Sequence, residues 1–172
     1  MDDGIETPNI NPLDGTETKN LLNSQPISRE EATKILEERY INQGIPAEQA
    51  TQFANDAVDS FEGDITTRMV LDGDTFVINH TGGESASGRY VIKKEDADKT
   101  PKELQTDLAL PYNNSANAQA ELTITEPHQV LEGEVANQSQ NSDYFPSSAT
   151  GGGQQTFIDD KKTDRNEIFG DK

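Results

Sequence analysis

The chain has 172 residues, with 14 Lys or Arg against 32 Asp or Glu, a formal net charge of −18. That charge argues against direct binding to nucleic acid, where phosphates demand clustered Lys and Arg, and against anionic membrane surfaces. With no cysteine, disulfides, thiol nucleophiles and iron–sulfur clusters are excluded, and a zinc site would need both histidines, His80 and His128, plus carboxylates.

Apolar residues make up 31% of the chain, below an ordinary globular domain, but the deficit is uneven and the middle can still bury a modest core. No apolar run approaches a membrane span, and the opening MDDGIETPNI lacks the basic and apolar regions of a signal peptide. Residues 1–27 are polar and contain Pro8, Pro12 and Pro26, so they read as a flexible leader or linker. A chain that opens in a linker reads as a piece of a larger protein.

Residues 28–62 read as a helical hairpin. Ser28 and Glu31 form an S-x-x-E capping pattern ahead of Ala32, Ile35, Leu36 and Tyr40 at helical spacing. Gly44 ends that helix and Ile45-Pro46 opens the next, whose stripe runs Ala50, Phe53, Ala54, Ala57, Val58, Phe61 and closes at Gly63. The plain reading of this hairpin is a small support packed on the β-rich domain beyond it.

From residue 63 to 160 the chain turns β-rich. Ile65 to Leu71 and Thr75 to Ile78 flank Asp72-Gly73-Asp74, a short-hairpin signal. Gly88 to Ile92 is a further short strand, Pro101 to Leu108 a short helix, and Ala120 to Thr125 and Val130 to Ala136 strands, with Gly133 expected at a bulge. Residues 137–150 read as a polar loop. Gly151-Gly152-Gly153 leads into a last strand, Gln154 to Ile158, and 161–172 is a charged tail whose Ile168 and Phe169 either dock or fray. The sum is two helices followed by about six short strands, an α+β pattern with a partly open antiparallel sheet.

Among motifs, G-x-S-x-G, P-loop, H-E-x-x-H and G-x-G-x-x-G are all absent. The histidines read first as polar surface residues, and the Asp72/Asp74 pair and the tail lack EF-hand spacing and read as solvated acidic surface. Three separated pieces remain: Thr81 to Ile92 (TGGESASGRYVI), Leu108 to Asn114 (LALPYNN) and the triglycine with Gln154 and Gln155. Gly82, Gly83 and Gly88 allow close backbone approach and can offer N–H groups to phosphates. Arg89 can make a forked contact to a diphosphate, Tyr90 alternates with it across the strand, and the Gln155 amide can reach a ribose hydroxyl.

The order of these pieces resembles the C-terminal toxin domains of bacterial polymorphic toxins, the cargo of Rhs and contact-dependent inhibition systems. Over roughly residues 61–158 it runs S-x-x-G-R-Y-V, L-A-L-P-x-x-N, two alternating strands with a central Gly, and G-G-G-x-Q. The last part is similar to NAD glycohydrolases of the tuberculosis necrotizing toxin type and to toxins of the ADP-ribosyltransferase group. The resemblance implies an ADP-ribosyltransferase-like split β-sheet gripping NAD as substrate, with no metal. It implies cleavage of the nicotinamide–ribose bond, by hydrolysis or by transfer of ADP-ribose to a bacterial target protein. A cognate immunity protein would be the partner, and the domain would travel on a secreted or cell-surface protein to act in a target-cell cytoplasm. In the glycohydrolase type the Gln of the triglycine strand serves near the ribose, which matches Gln155, or Gln154 if the register slips. An Arg anchors the diphosphate and an aromatic residue flanks the nicotinamide, which points to Arg89, supported by Gly88 and Gly153, and to Tyr90 or Tyr112. His80 is an outside candidate for proton handling.

One departure stands out. Toxins of this appearance commonly end the strand before G-G in aromatic-Arg-apolar, whereas this chain has Val77-Ile78-Asn79-His80, with Asn79 where Arg is expected. Asn supplies neither permanent charge nor a guanidinium fork. Arg89 or Arg68 then takes the phosphate role, or the domain is an inactive variant, or the likeness is of scaffold only. The strand at 151–158 carries no Glu, which favours the Gln-type site and hydrolysis. The alternatives are a non-catalytic acidic interaction module of a secreted or surface protein, and an acidic mimic of nucleic acid, for which the carboxylates are too scattered.

Overall fold

A computed structural model describes residues 23–82, 90–158 and 163–169. In chain order they form β1 (Gln25–Ile27), α1 (Arg29–Asn42), α2 (Ala47–Asp59), β2 (Phe61–Val70), β3 (Thr75–His80) and β4 (Tyr90–Val91). A single 3-10 turn at Lys94–Asp96 comes next, then α3 (Pro101–Asp107), β5 (Ala118–Ile124), β6 (His128–Val135), β7 (Gln154–Phe157) and β8 (Thr163–Phe169). The strands make two antiparallel sheets, one ordered β1-β2-β6-β7-β4 and one ordered β3-β5-β8. The α+β expectation holds, in two sheets rather than one.

The helical hairpin forms for local reasons. The Ser28 hydroxyl accepts the Glu31 N–H at 3.1 Å, which satisfies one of the orphan donors of α1. Gly44, at φ +94°, takes the left-handed position that ends the helix. Ala32, Leu36 and Tyr40 of α1 meet Ala50, Ala54, Ala57 and Val58 of α2, and the pair buries this seam against Phe61, Ile65, Leu131 and Phe157 of the five-stranded sheet. Phe53, expected in that stripe, is instead 41% exposed and meets Tyr40 edge-on at the rim of the seam. Arg29 ties the hairpin closed: its guanidinium donates to the carbonyls of Val58, Phe61 and Gly63, the end of α2 and the start of β2.

Several expectations are corrected here. The leader ends in structure, since Gln25–Ile27 pairs with Ile65–Thr67 as β1. Phe61 opens β2 rather than closing a helix, and Gly63 lies inside that strand at φ +69°. The bulge falls on β2 between Glu62 and Ile65, opposite Gly133, not on β6. Gly133 is small because a Cβ there would stand 3.0 Å from the Phe61 ring and 3.1 Å from the Asp64 carbonyl. Asp72-Gly73-Asp74 does turn the chain, with Asp74 N–H on the Leu71 carbonyl, but β2 and β3 do not pair. The Gly73 N–H and the Asp74 carbonyl go to Ile124, so the turn is a corner that hands the chain from one sheet to the other. The tail is more than a charged extension, since residues 163–169 add β8 to the edge of β5.

Val70 and Val130 of the five-stranded sheet, with Ile158 just past the end of β7, pack on Phe76, Ile78, Leu122 and Ile124 of the other, so the sheets share a core on the side away from the helices. They meet in the chain itself just after β4. Val91 pairs with β7, and the next residue, Ile92, exchanges both backbone hydrogen bonds with Val77 of β3 at 2.8 and 2.9 Å. The two sheets split at that point, and the split holds the cleft.

Candidate functional site

A cleft of about 590 Å³ opens at the split. Its walls come from the end of α2, the strands β3, β4 and β7, the exit of α3 and the 137–150 loop. The volume is in the range of small-molecule and cofactor sites.

Gln155 sits on β7 opposite Gly133 and is 6% exposed. Its Nε2 donates to the Ser60 carbonyl at 3.1 Å and lies 3.4 Å from the Ser60 hydroxyl. A carbonyl partner fixes which end of the amide is nitrogen, so Oε1 is the end turned from Ser60. Gln155 lines the cleft and Gln154 does not; Gln154 lines a second cavity of about 190 Å³, with Lys93 and Glu132, which Gln155 and Ile92 also border. Tyr90 lines the cleft from β4, its ring 5.0 Å from that of Phe157.

The triglycine is the reason Gln155 stands where it does. Gly151 N–H and Gly153 N–H cap the last carbonyls of α3, those of Thr106 and Asp107, each at 2.9 Å. Gly151 has φ +77°, and a Cβ there would fall 2.5 Å from the Val135 carbonyl. Gly153 accepts from Val135 N–H, so both its backbone groups are used inside the protein, and it does not line the cleft.

The LALPYNN segment forms the facing wall. Leu108 ends α3, and Ala109, at φ +47°, takes the left-handed position usually held by Gly. Ala109 N–H meets Thr106 O and Leu110 N–H meets Gln105 O, a Schellman pair that aims Leu108 to Pro111 into the cleft. Asn114 then pins this wall to β3: its Nδ2 donates to the Asn79 carbonyl at 3.1 Å and its Oδ1 accepts from Ala116 N–H at 3.0 Å.

Asn79 lines the cleft but is 7% exposed, and its Oδ1 accepts from Gln119 Nε2 at 2.8 Å. Its amide is thus tied into a buried pair, with Gln119 also donating to the Ala97 carbonyl. His80 is 6% exposed, with Nδ1 2.9 Å from the Thr81 carbonyl, and does not line the cleft. Both histidines are buried, contrary to the surface reading. Tyr112 stands just outside the cleft wall, 64% exposed. Gly82 N–H is used by Asn117 Oδ1 at 2.7 Å. Gly83, Gly88 and Arg89 lie outside the described residues.

Arg68 is committed elsewhere. Its Nε and a terminal nitrogen grip the two carboxylate oxygens of Glu132 at 2.7 and 3.1 Å, and Thr156 donates to the same carboxylate at 2.7 Å. Burial pushes Glu132 up, but the hydrogen bonds from Arg68 and Thr156 and the Arg68 charge outweigh it and hold the carboxyl below its usual range. Among the described residues lining the cleft there is no Lys or Arg; Asp56 and Asp59 are its charged groups. These two, with Ser60, Gln138 and Phe145, were not singled out in the sequence. The helix end and the loop that carry them had no motif, and Phe145 in its polar run was the one signal available. Among the described residues no cluster of His, Asp or Glu could hold a metal, and no helix is long and apolar enough to cross a membrane.

No family model matches the chain, and no curated protein matches it. Solved structures do. The fold of split antiparallel sheets under a helical hairpin is shared with a chain in the structure of Tse6 in complex with Tsi6, at 15% identity and a TM-score of 0.50, over 84% of this chain and 99% of that one. A chain in the structure of Rhs1-CT in complex with cognate immunity protein RhsI1 is similar at 18% identity and a TM-score of 0.43, over 61% of this chain and 77% of that one.

Proposed function

We propose that this chain is a polymorphic-toxin domain that breaks the nicotinamide–ribose bond of NAD, on an ADP-ribosyltransferase-like scaffold, and that a cognate immunity protein is its partner. One observation carries the reading. The cleft gathers the separate pieces of the sequence resemblance, Gln155 of G-G-G-x-Q, Tyr90 of G-R-Y-V and Leu108 to Pro111 with Asn114, around a single volume of about 590 Å³. The fold shared with a chain of the Tse6–Tsi6 complex agrees with it.

The chemistry follows from the geometry. As the bond breaks, nicotinamide leaves with the C–N electron pair and positive charge develops on the ribose. Water, or a nucleophile of a target protein, adds at C1′ and gives up a proton to solvent. Gln155, held by Ser60, presents Oε1 as an acceptor for a ribose hydroxyl, which fixes the sugar and strengthens as the charge develops. Tyr90 offers a ring face to the nicotinamide. The carboxylates of Asp56 and Asp59 give the cleft a negative field suited to a cationic transition state. Arg89, next to Tyr90 in sequence, is the cation assigned to the diphosphate, since Arg68 is held by Glu132.

The test is nicotinamide release from NAD by the purified chain, with and without bacterial lysate. Release without lysate means hydrolysis, and release only with lysate means transfer to a protein. Gln155→Ala is expected to lower kcat/KM at least about 100-fold while far-UV circular dichroism is unchanged. A second reading, a non-catalytic acidic interaction module, is favoured by the cleft's lack of a described cation and by the committed amide of Asn79. It requires no release under either condition and no effect of Gln155→Ala.

A further inference from the structure

The 137–150 segment, read from the sequence only as a polar loop, is a built element. Gln138 N–H bonds the Ala149 carbonyl at 2.9 Å and closes the loop at its base. Within it Tyr144 and Phe145 N–H both return to the Asn141 carbonyl, and Ala149 N–H returns to Pro146. Phe145 and Ala149 pack with Ala109 and Val135, which anchors the loop on the core. A compact loop with bonded ends and its own apolar anchor is an Ω-loop, a form that often carries function.

This loop gives the cleft two lining residues, Gln138 and Phe145. It also fixes an unusual pair at the rim. Tyr112 N–H bonds the Tyr144 carbonyl at 3.0 Å, and their side chains are 64% and 66% exposed, the most exposed of the described large apolar residues. Each lies one residue beyond a residue of the cleft wall, Pro111 and Phe145. Large rings held in water beside a cleft have no role in the core.

We infer that the Ω-loop is a base-binding element: Phe145, flanked by Tyr144 and Tyr112, takes the adenine ring of the dinucleotide. This rests on the NAD reading. Gln155 on β7 marks the reacting end of the substrate, so the second ring of a dinucleotide must lie along another wall. Apart from Tyr90, Phe145 is the one aromatic ring among the described residues lining the cleft, and it stands with Leu110 and Pro111 and with two further aromatic side chains at the rim. Stacking tolerates any base and gives affinity without touching the reacting bond.

The experiment compares NAD with nicotinamide mononucleotide, which has the same scissile bond and no adenylate half. Phe145→Leu keeps apolar volume against Val135 while removing the ring, and Tyr144→Ala alters an exposed position with no effect on folding expected. The inference expects KM for NAD to rise about tenfold in Phe145→Leu and severalfold in Tyr144→Ala, with kcat within twofold and both constants for the mononucleotide unchanged. Unchanged KM for NAD in both variants overturns it. So does an equal rise for both substrates, which would put the loop at the reacting end. If the unaltered chain cleaves neither substrate, the NAD reading itself falls and this inference with it, a result distinct from the other two.

Discussion

Replacing Arg68 with Met should turn the pH dependence of stability around. In the native protein Glu132 and Arg68 have side chains only 11% and 23% exposed and share two hydrogen bonds. Burial alone would raise the Glu132 carboxyl, but Arg68 and Thr156 together hold it below its ordinary value. A carboxyl depressed on folding adds stability above its unfolded value of about 4.3, and that stability is lost as pH falls through the folded value. Arg68→Met leaves the Thr156 hydroxyl and the weaker Lys93 charge to serve the carboxylate against the same burial, the largest influence on it, so the folded value is expected above the unfolded one. The variant then binds its proton more tightly when folded and loses stability as pH rises. At about pH 7 the cost is about 3 kcal/mol, the low end for breaking a buried pair because one hydroxyl still serves the carboxylate. Adding Glu132→Gln to Arg68→Met should bring stability back to within about 1 kcal/mol of native, since no buried charge remains. Urea unfolding at about pH 7 and about pH 4.5 measures both effects. A loss below about 1 kcal/mol at neutral pH, or a loss of equal size at both pH values, refutes this account of the pair.

Other expectations rest on single contacts. Gly151→Ala combines a left-handed backbone with a Cβ 2.5 Å from the Val135 carbonyl, so it should lose about 3 kcal/mol or more in urea unfolding. Asn114→Ala frees the Asn79 carbonyl and the Ala116 N–H, and a loss of about 2 kcal/mol with weakened substrate turnover is expected. Asn79→Arg must displace the buried hydrogen bond to Gln119, so a lower Tm without any gain in nicotinamide release is expected. Ser28→Ala removes the cap of α1 and should cost about 1 kcal/mol, read as a shift in urea midpoint at constant slope.

What was legible in the chain was what is decided locally. The capping pattern at Ser28 and Glu31, the alanine stripe of α2 and the Pro101 start of α3 depend on residues a few positions apart, and three helices form there, although α2 stops at Asp59, before Phe61. The pairing of β2 and β3 was not legible because the Asp72-Gly73-Asp74 signal reports only a reversal. β3 is buried from Phe76 to His80, so neither of its faces marks which sheet it joins. The strand at 163–169 hides in a charged tail because it joins β5 through backbone groups. At the site, motifs found Gln155, Asn79 and Tyr90 on the walls. They missed Asp59, Ser60 and Phe145, whose place depends on the packing of a helix end and a loop.

The corner at Asp72 to Asp74 bears on how long this protein takes to fold. Because β2 and β3 part there, the chain forgoes a tight β-hairpin at that corner. Its ladders join Val70 to His128, Thr75 to Thr123 and Val91 to Thr156, and even neighbouring β6 and β7 are separated by the 137–150 loop. Each contact must close a long loop before it yields anything, whereas α1 and α2 meet across a short turn. The helical hairpin is therefore the natural first structure, and the sheets should assemble on it on the millisecond-to-second scale of topologies dominated by distant pairings.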